Sequence, residues 1–145
     1  MAADLDDIDR AILAELAKDG RLSMRALADE VHISRANAYS RVERLQSSGV
    51  ITGFTVLTDP QLLGLMTTAY VTLHLQQDEW QSISRRLLGM PEVVHWALTG
   101  GDFDAILLIR ARDNSDLRRI VLGELQNIPG VLNTRTLLVF EDGSN

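Results

Sequence analysis

The chain has 145 residues, and its 46% hydrophobic and 23% charged content is that of a chain able to bury a core in one domain or two small ones. It has no cysteine, which excludes disulfides, thiolate metal sites and a cysteine nucleophile. Its net charge of −6, taken as a sum, argues against nucleic acid, whose phosphates require local positive charge.

In chain order, Leu5, Ile8, Ile12, Leu13 and Leu16 form an apolar stripe at helical spacing over residues 5–17. Asp4, Asp6 and Asp7 suit the start of that helix and Gly20 its end. Ser23 caps a second short helix to about Val31, with Leu27, Ala28 and Val31 inward. Ser34 caps a third to about Ser48, with Ala38, Val42 and Leu45 inward, and Gly49 follows as its terminating residue. Residues 50–57 read as a hairpin turning near Gly53, and Asp59-Pro60 to Gly64 as a linker. The start of the chain lacks a basic region followed by an apolar run, so no secretory signal is expected. The later apolar stretches have strand length, so no membrane span is expected and the cytoplasm is the default location.

From Thr67 the period changes. Residues 67–75 alternate, with Ala69, Val71, Leu73 and Leu75 on one face. Trp80, Ile83, Leu87 and Met90 are spaced for a helix, and Pro91 lies beyond it. Residues 93–98 and 105–111 read as strands around Thr99-Gly100-Gly101-Asp102-Phe103-Asp104. Asn114 or Ser115 caps a helix carrying Leu117, Ile120, Val121, Leu125 and Ile128, and residues 131–140 form a last strand. This β-α-β-β-α-β order is the ferredoxin-like plan. The fold class is therefore α+β, an N-terminal winged helix-turn-helix and a C-terminal ferredoxin-like domain. The last strand places Leu132, Leu138 and Phe140 on one side and Val131, Leu137 and Val139 on the other. Right-handed crossovers put both helices on one sheet face. An apolar second face needs its own cover, and the same sheet of a second copy supplies it, so a homodimer is expected.

Charge is unevenly spread. Residues 1–20 hold two cationic and six acidic side chains, whereas residues 21–45 hold five arginines against three acids. The small basic island follows an acidic helix. A helix-turn-helix needs a small residue early, which Ala28 supplies, and a short turn, here His32-Ile33. Its second helix needs a polar outer face, and Arg35, Asn37, Tyr39, Ser40, Arg41 and Arg44 provide one. Arg reads guanine, Asn reads adenine, and Ser, Tyr and Arg bind phosphate. Ser34 at the helix start adds donors for phosphate. Arg35, Ala36, Asn37 and Ser40 are assigned to the major groove and Ser23, Arg25, Arg41 and Arg44 to the backbone, with Tyr39 open to either.

These segments together resemble the Lrp/AsnC family, the feast/famine regulators of bacteria and archaea. The resemblance rests on residues 5–13 (Leu-Asp-Asp-Ile-Asp-Arg-Ala-Ile-Leu), Ile33-Ser34 with the arginine-bearing helix, residues 41–45 leading to Gly49-Val50-Ile51, and residues 99–104. It implies a double-stranded DNA-binding transcription regulator whose second domain dimerises through its sheet and often builds octamers. It also implies an amino acid or related metabolite bound between dimers. Many relatives have Pro after the serine that starts the recognition helix; Arg35 stands there instead.

At Thr99 to Asp104 the residues alone leave two readings. One is a plain Gly-Gly-Asp hairpin turn. The other is capture of a zwitterionic amino acid, with amides freed by Gly100 and Gly101 on the carboxylate and Asp102 or Asp104 on the ammonium group. Thr134 and Thr136 share a face of the last strand and border the same expected pocket. The resemblance favours the second reading. His32, His74 and His95 stand in separate elements, and no phosphate loop or nucleophile elbow occurs. No enzyme activity, metal or cofactor is expected. The domains are read as 1–52 for DNA binding, 53–65 for wing strand and linker, and 66–145 for effector binding and assembly. The alternative is a stand-alone amino-acid sensor without DNA binding.

Overall fold

Helix α1 (Asp7–Lys18) starts at Asp6, whose carboxylate accepts the Asp9 amide at 2.8 Å while the Asp9 carboxylate accepts the Asp6 amide at 3.3 Å. This reciprocal cap satisfies two otherwise orphaned donors. Helix α2 (Met24–Glu30) is capped by Ser23 and α3 (Arg35–Ser47) by Ser34, each hydroxyl accepting the amide three residues on at 3.1 Å. Between them His32 takes φ +57, and the Ile33 amide returns to the Ala28 carbonyl at 3.0 Å, which makes the tight turn. Ile12, Leu27, Val42 and Leu45 form the buried centre, with Leu5, Ile8, Leu13 and Leu16 packed around it. Each fully buried aliphatic contributes about 2 kcal/mol. Gly49, at φ +76, ends α3 in a left-handed turn, and the Ile51 amide bonds the Leu45 carbonyl at 2.9 Å.

This computed structural model describes residues 4–143, so the outer ends of the two expected domains, residues 1–3 and 144–145, lie outside the described residues. The chain forms two compact units, Met1–Leu57 and Thr58–Asn145. The hairpin expected over residues 50–57 is not formed: residues 53–57 run without strand pairing. A two-stranded ribbon needs an apolar face to pack on, and here Val56 and Leu57 are 78% and 96% exposed.

The second unit is a four-stranded antiparallel sheet of β1 (Thr67–Leu75), β2 (Val93–Leu98), β3 (Ala105–Ala111) and β4 (Val131–Leu138), in the order β2-β3-β1-β4. Helices α4 (Trp80–Leu88) and α5 (Asn114–Arg118) complete the ferredoxin-like plan. Ala69, Val71 and Leu73 of β1 and Leu107 and Ile109 of β3 are fully buried with Ile83, Leu87, Ile120 and Leu125 of the helical segments. Truncating Leu107 to Ala would cost about 3 kcal/mol through the cavity left behind.

Three expectations here are corrected. The cap of α5 is Asp113, which accepts the Asp116 amide at 2.7 Å, rather than Asn114 or Ser115. An extended carboxylate one residue earlier captures the orphan donor first. The helix then widens to a π segment over Arg119–Glu124 and tightens to a 3-10 turn over Leu125–Asn127. The extra residue per turn lets Ile120, Val121 and Leu125 all reach the core while Glu124 swings to Arg119. Finally, Val131 packs with the core rather than on the face of Leu137, because pairing slips between His74 and Leu75 and turns it inward. Gly130 precedes it at φ +93, where a Cβ would lie 2.6 Å from Glu79 Cβ, so only glycine lets β4 enter beside α4.

Candidate nucleic-acid interface and effector region

The inward face of α3 is Ala38, Val42 and Leu45. That leaves Arg35, Ala36, Asn37, Tyr39 and Ser40 exposed, and Ser34, Ser23 and Arg25 are exposed as well. The start of α3 therefore presents backbone donors, a guanidinium, an amide and hydroxyls on one accessible stretch.

Arg41 and Arg44 behave differently. Arg41 Nη1 lies 2.8 Å from both carboxylate oxygens of Asp6 and 2.8 Å from Asp9 Oδ1, and Arg44 Nη2 lies 2.7 Å from both oxygens of Asp9. Asp9 is only 1% exposed. Burial pushes its carboxyl up, but the hydrogen bonds from Arg44, Arg41 and the Asp6 amide outweigh this and hold it below the usual aspartate value. The Asp6 carboxyl is also held low, by the Asp9 amide first and Arg41 second. Both arginines expected at the DNA backbone are thus fastened to α1. Arg44 keeps half its side chain in solvent, whereas Arg41 keeps 19%. Sequence reasoning missed Asp9 as a functional partner. The signal was its place on the apolar stripe between Ile8 and Ile12, where a carboxylate demands a cation.

Thr99 to Asp104 joins β2 to β3. The Thr99 hydroxyl donates to the Phe103 carbonyl at 2.7 Å, and the Thr99 amide donates to the Asp104 carbonyl at 2.9 Å. Asp104 is tied to β1: its amide donates to Leu73 at 2.9 Å and its carboxylate accepts the Leu75 amide at 2.8 Å. Gly100, Gly101 and Asp102 are exposed, and Gly101 takes φ +124. Thr134 and Ala105 flank Leu73 on opposite sides, which separates them by about 10 Å. Thr134 accepts from Gln126 Nε2 at 2.8 Å. Thr136 borders a groove of about 480 Å³ with Asn114, Leu117, Arg118, Val121, Leu122 and Leu138, and the 99–104 loop is not part of its wall. The single chain therefore does not gather the two threonines and the loop around one pocket.

A helix-turn-helix whose second helix presents an open polar face, in one chain with a ferredoxin-like sheet, defines the class: a DNA-binding protein with an α+β companion domain. Residues 5–52 match the model for winged helix-turn-helix DNA-binding and residues 68–142 that for the Lrp/AsnC ligand binding domain. The chain is 41% identical to the HTH-type transcriptional regulator AldR of Mycolicibacterium smegmatis, covering 97% of this chain and 84% of that one. It is 37% identical to the leucine-responsive regulatory protein of Escherichia coli K12, covering 96% and 87%. In fold it is similar to a transcriptional regulator of Neisseria meningitidis solved as its L-Met complex, with TM-score 0.92 at 23% identity over 97% and 93% of the two chains. The chain belongs to the Lrp/AsnC family of DNA-binding transcriptional regulators. No helix among the described residues is long and apolar enough to cross a membrane.

Proposed function

We propose that this regulator acts in the cytoplasm as a homodimer, assembling further to an octamer, and reads paired half-sites in double-stranded DNA with α3. The observation that carries this reading is the capped start of α3, where Ser34, Arg35, Ala36, Asn37 and Ser40 lie exposed together. Arg35 and Asn37 supply base readout, Ser23 and Arg25 supply phosphate contacts, and Tyr39 is available to either. Arg44 adds phosphate contact through its solvent-facing donors, and Arg41 braces the helix. In this reading residues 1–52 bind DNA, 53–65 connect the two units without strand pairing over 53–57, and 66–145 bind effector and assemble.

The dimer is supported by the sheet face opposite the helices, which carries Tyr70, Ile106, Leu108 and Leu137. Arg110 lies on that face with its Nε buried and unpartnered among the described residues, as an acceptor from a covering subunit would explain. The effector is an amino acid or related small metabolite. The family's ligand-binding domain supports this, as do the leucine response in the name of the E. coli relative and L-Met in the Neisseria complex. Its proposed site includes Thr99, Gly100, Gly101, Asp102 and Asp104 after β2, with Thr134 and Thr136 contributed from β4 at the opposite edge of the sheet. No catalysis, cofactor or metal is assigned.

A gel shift with DNA upstream of the chain's own coding sequence tests the first part. Folded protein that shifts nothing at low salt would overturn it in favour of a sensor without DNA binding. A thermal-shift panel of the twenty amino acids tests the second, since a ligand that binds only the native state raises the unfolding temperature. Asp104→Ala is expected to abolish the shift given by the active amino acid; an unaltered shift would move the site elsewhere.

A further inference from the structure

We propose that Arg41 is a positioning residue for base recognition: held by Asp6 and Asp9, it fixes the amide of Asn37 in the one orientation that reads adenine. The inference rests on the reading of α3 as the element that enters the major groove.

Asn37 is exposed in the first turn of α3, with its backbone amide bonded to the Ser34 hydroxyl at 3.1 Å. Arg41 lies one turn further, on the same side of the helix. Its Nε donates to Asn37 Oδ1 at 3.0 Å. The other end of the same guanidinium is 2.8 Å from three carboxylate oxygens of Asp6 and Asp9. Asp9 is itself held by Arg44 and by the Asp6 amide. A continuous chain of bonds thus runs from the cap of α1 to the base-reading position of α3. Its last free groups are Asn37 Nδ2 and the second lone pair of Oδ1.

Adenine offers the major groove an acceptor at N7 and a donor at N6. Asparagine reads both when Nδ2 faces N7 and Oδ1 faces N6. An amide rotated by half a turn has the same shape and presents the wrong pattern. The Arg41 N–H opposes that rotation, because it would then face an NH2 group. Arg41 cannot leave for a phosphate without abandoning two carboxylates. The acidic start of α1, which weakens the case for DNA binding when charges are merely summed, acts here as the anchor of a reading residue.

The test selects duplexes from a random-sequence pool with the full-length protein. The enriched duplex and a scrambled one are then titrated against wild type, Asn37→Ala, Arg41→Lys and the double variant at one salt concentration. Asn37→Ala is expected to lower the preference for the enriched duplex about tenfold or more and to lose discrimination at one A·T position. Arg41→Lys keeps the cation but has no planar fork to join both partners. It is expected to lose preference at that same position while its affinity for the scrambled duplex holds. The double variant is expected to be no worse than Asn37→Ala alone, because the two residues act as a unit. Additive losses, or intact preference in Arg41→Lys, would overturn the relay while leaving Asn37 as a reader. Intact preference in Asn37→Ala would overturn both. A merely structural Arg41 would lower both affinities together and leave their ratio unchanged. If Arg41→Lys is unfolded by circular dichroism, Asp6→Ser replaces it, since serine still caps α1 but removes one of the two carboxylates that hold Arg41; a partial loss of preference at the same position is expected, and none would overturn the relay.

Discussion

Asp9 and Asp116 are the same device used in two settings. Each is the third residue of a helix, each is nearly buried, and each carboxylate is gripped by two arginines. Each also follows an aspartate cap, Asp6 or Asp113, that accepts its backbone amide. The difference is the origin of the arginines. Asp116 takes Arg112 and Arg119 from its own turn, at sequence separations of four and three. Asp9 takes Arg41 and Arg44 from another helix, at separations of 32 and 35. One clasp finishes a helix end; the other fastens α3, the proposed DNA-reading helix, to α1. The small three-helix unit has a modest apolar centre and uses charge for tertiary structure. The sheet unit has a broad aliphatic core and keeps charge at its margins.

The largest expected effect follows from this. Asp9→Ala leaves Arg44 without its carboxylate and Arg41, only 19% exposed, with Asp6 alone, and is expected to cost about 2 kcal/mol. Asp116→Ala releases Arg112 and Arg119, whose side chains are 73% and 49% exposed and are readily solvated. Its loss is expected to be clearly smaller. Urea unfolding followed by circular dichroism measures both, and equal losses would break the distinction between tertiary and local clasps.

Acid should reveal both clasps. Asp9 is held low against its own burial, and Asp116 is held well below the usual carboxylate range by the Arg112 side chain, then by the Arg112 amide. A depressed folded-state value means stability that is fully present above the unfolded value, about 3.9, and lost as pH falls through the folded value. Urea midpoints are therefore expected to hold from pH 7 to 5 and to fall below about pH 4. The Asp9→Ala variant should fall less steeply over that window; an identical slope would mean that Asp9 does not stay ionised in the native state.

Much of this was legible in advance, and the reasons for the misses are physical. The strands at residues 67–75, 93–98 and 105–111 stand where alternation and turn residues place them. Ser23, Ser34 and Gly49 act at the helix ends as their chemistry requires. Local patterns report local structure. The Asp9 clasp depends on residues more than thirty positions apart, which periodicity cannot join. The π segment and the slip at His74 shift one residue each, below what a spacing argument resolves. The unpaired residues 53–57 read as a hairpin because composition registers β propensity and not the presence of a neighbour. For the candidate site, the exposed face of α3 was readable from the positions left over by the core, while the bonds that tie Arg41 and Arg44 down were not.

A smaller effect separates the arginines of the two units. Neutralising one phosphate contact lowers the slope of log Kobs against log salt by about 0.9. Arg25, the proposed phosphate contact, is exposed and has no ion-pair partner among the described residues, so Arg25→Gln is expected to reduce the slope by roughly that amount per subunit. Arg112→Gln, in the other unit, is expected to leave the slope unchanged. A change of similar size from both would mean that DNA affinity follows net charge and not the reading face.

The smallest expected effect isolates backbone conformation from packing. Gly49 closes α3 at φ +76, and a Cβ built there meets nothing within 4 Å. Alanine at that position loses no contact and creates no clash, so its cost is that of holding an L-residue in the left-handed region, about 1 kcal/mol. Asparagine tolerates that region better and is expected to recover part of the loss. Thermal unfolding of Gly49→Ala and Gly49→Asn measures the pair. Loss in both to the same extent would show that the turn after α3 needs glycine for a reason beyond φ, such as close approach of another surface in the assembled regulator, and would move this turn from the account of the single chain to that of the complex.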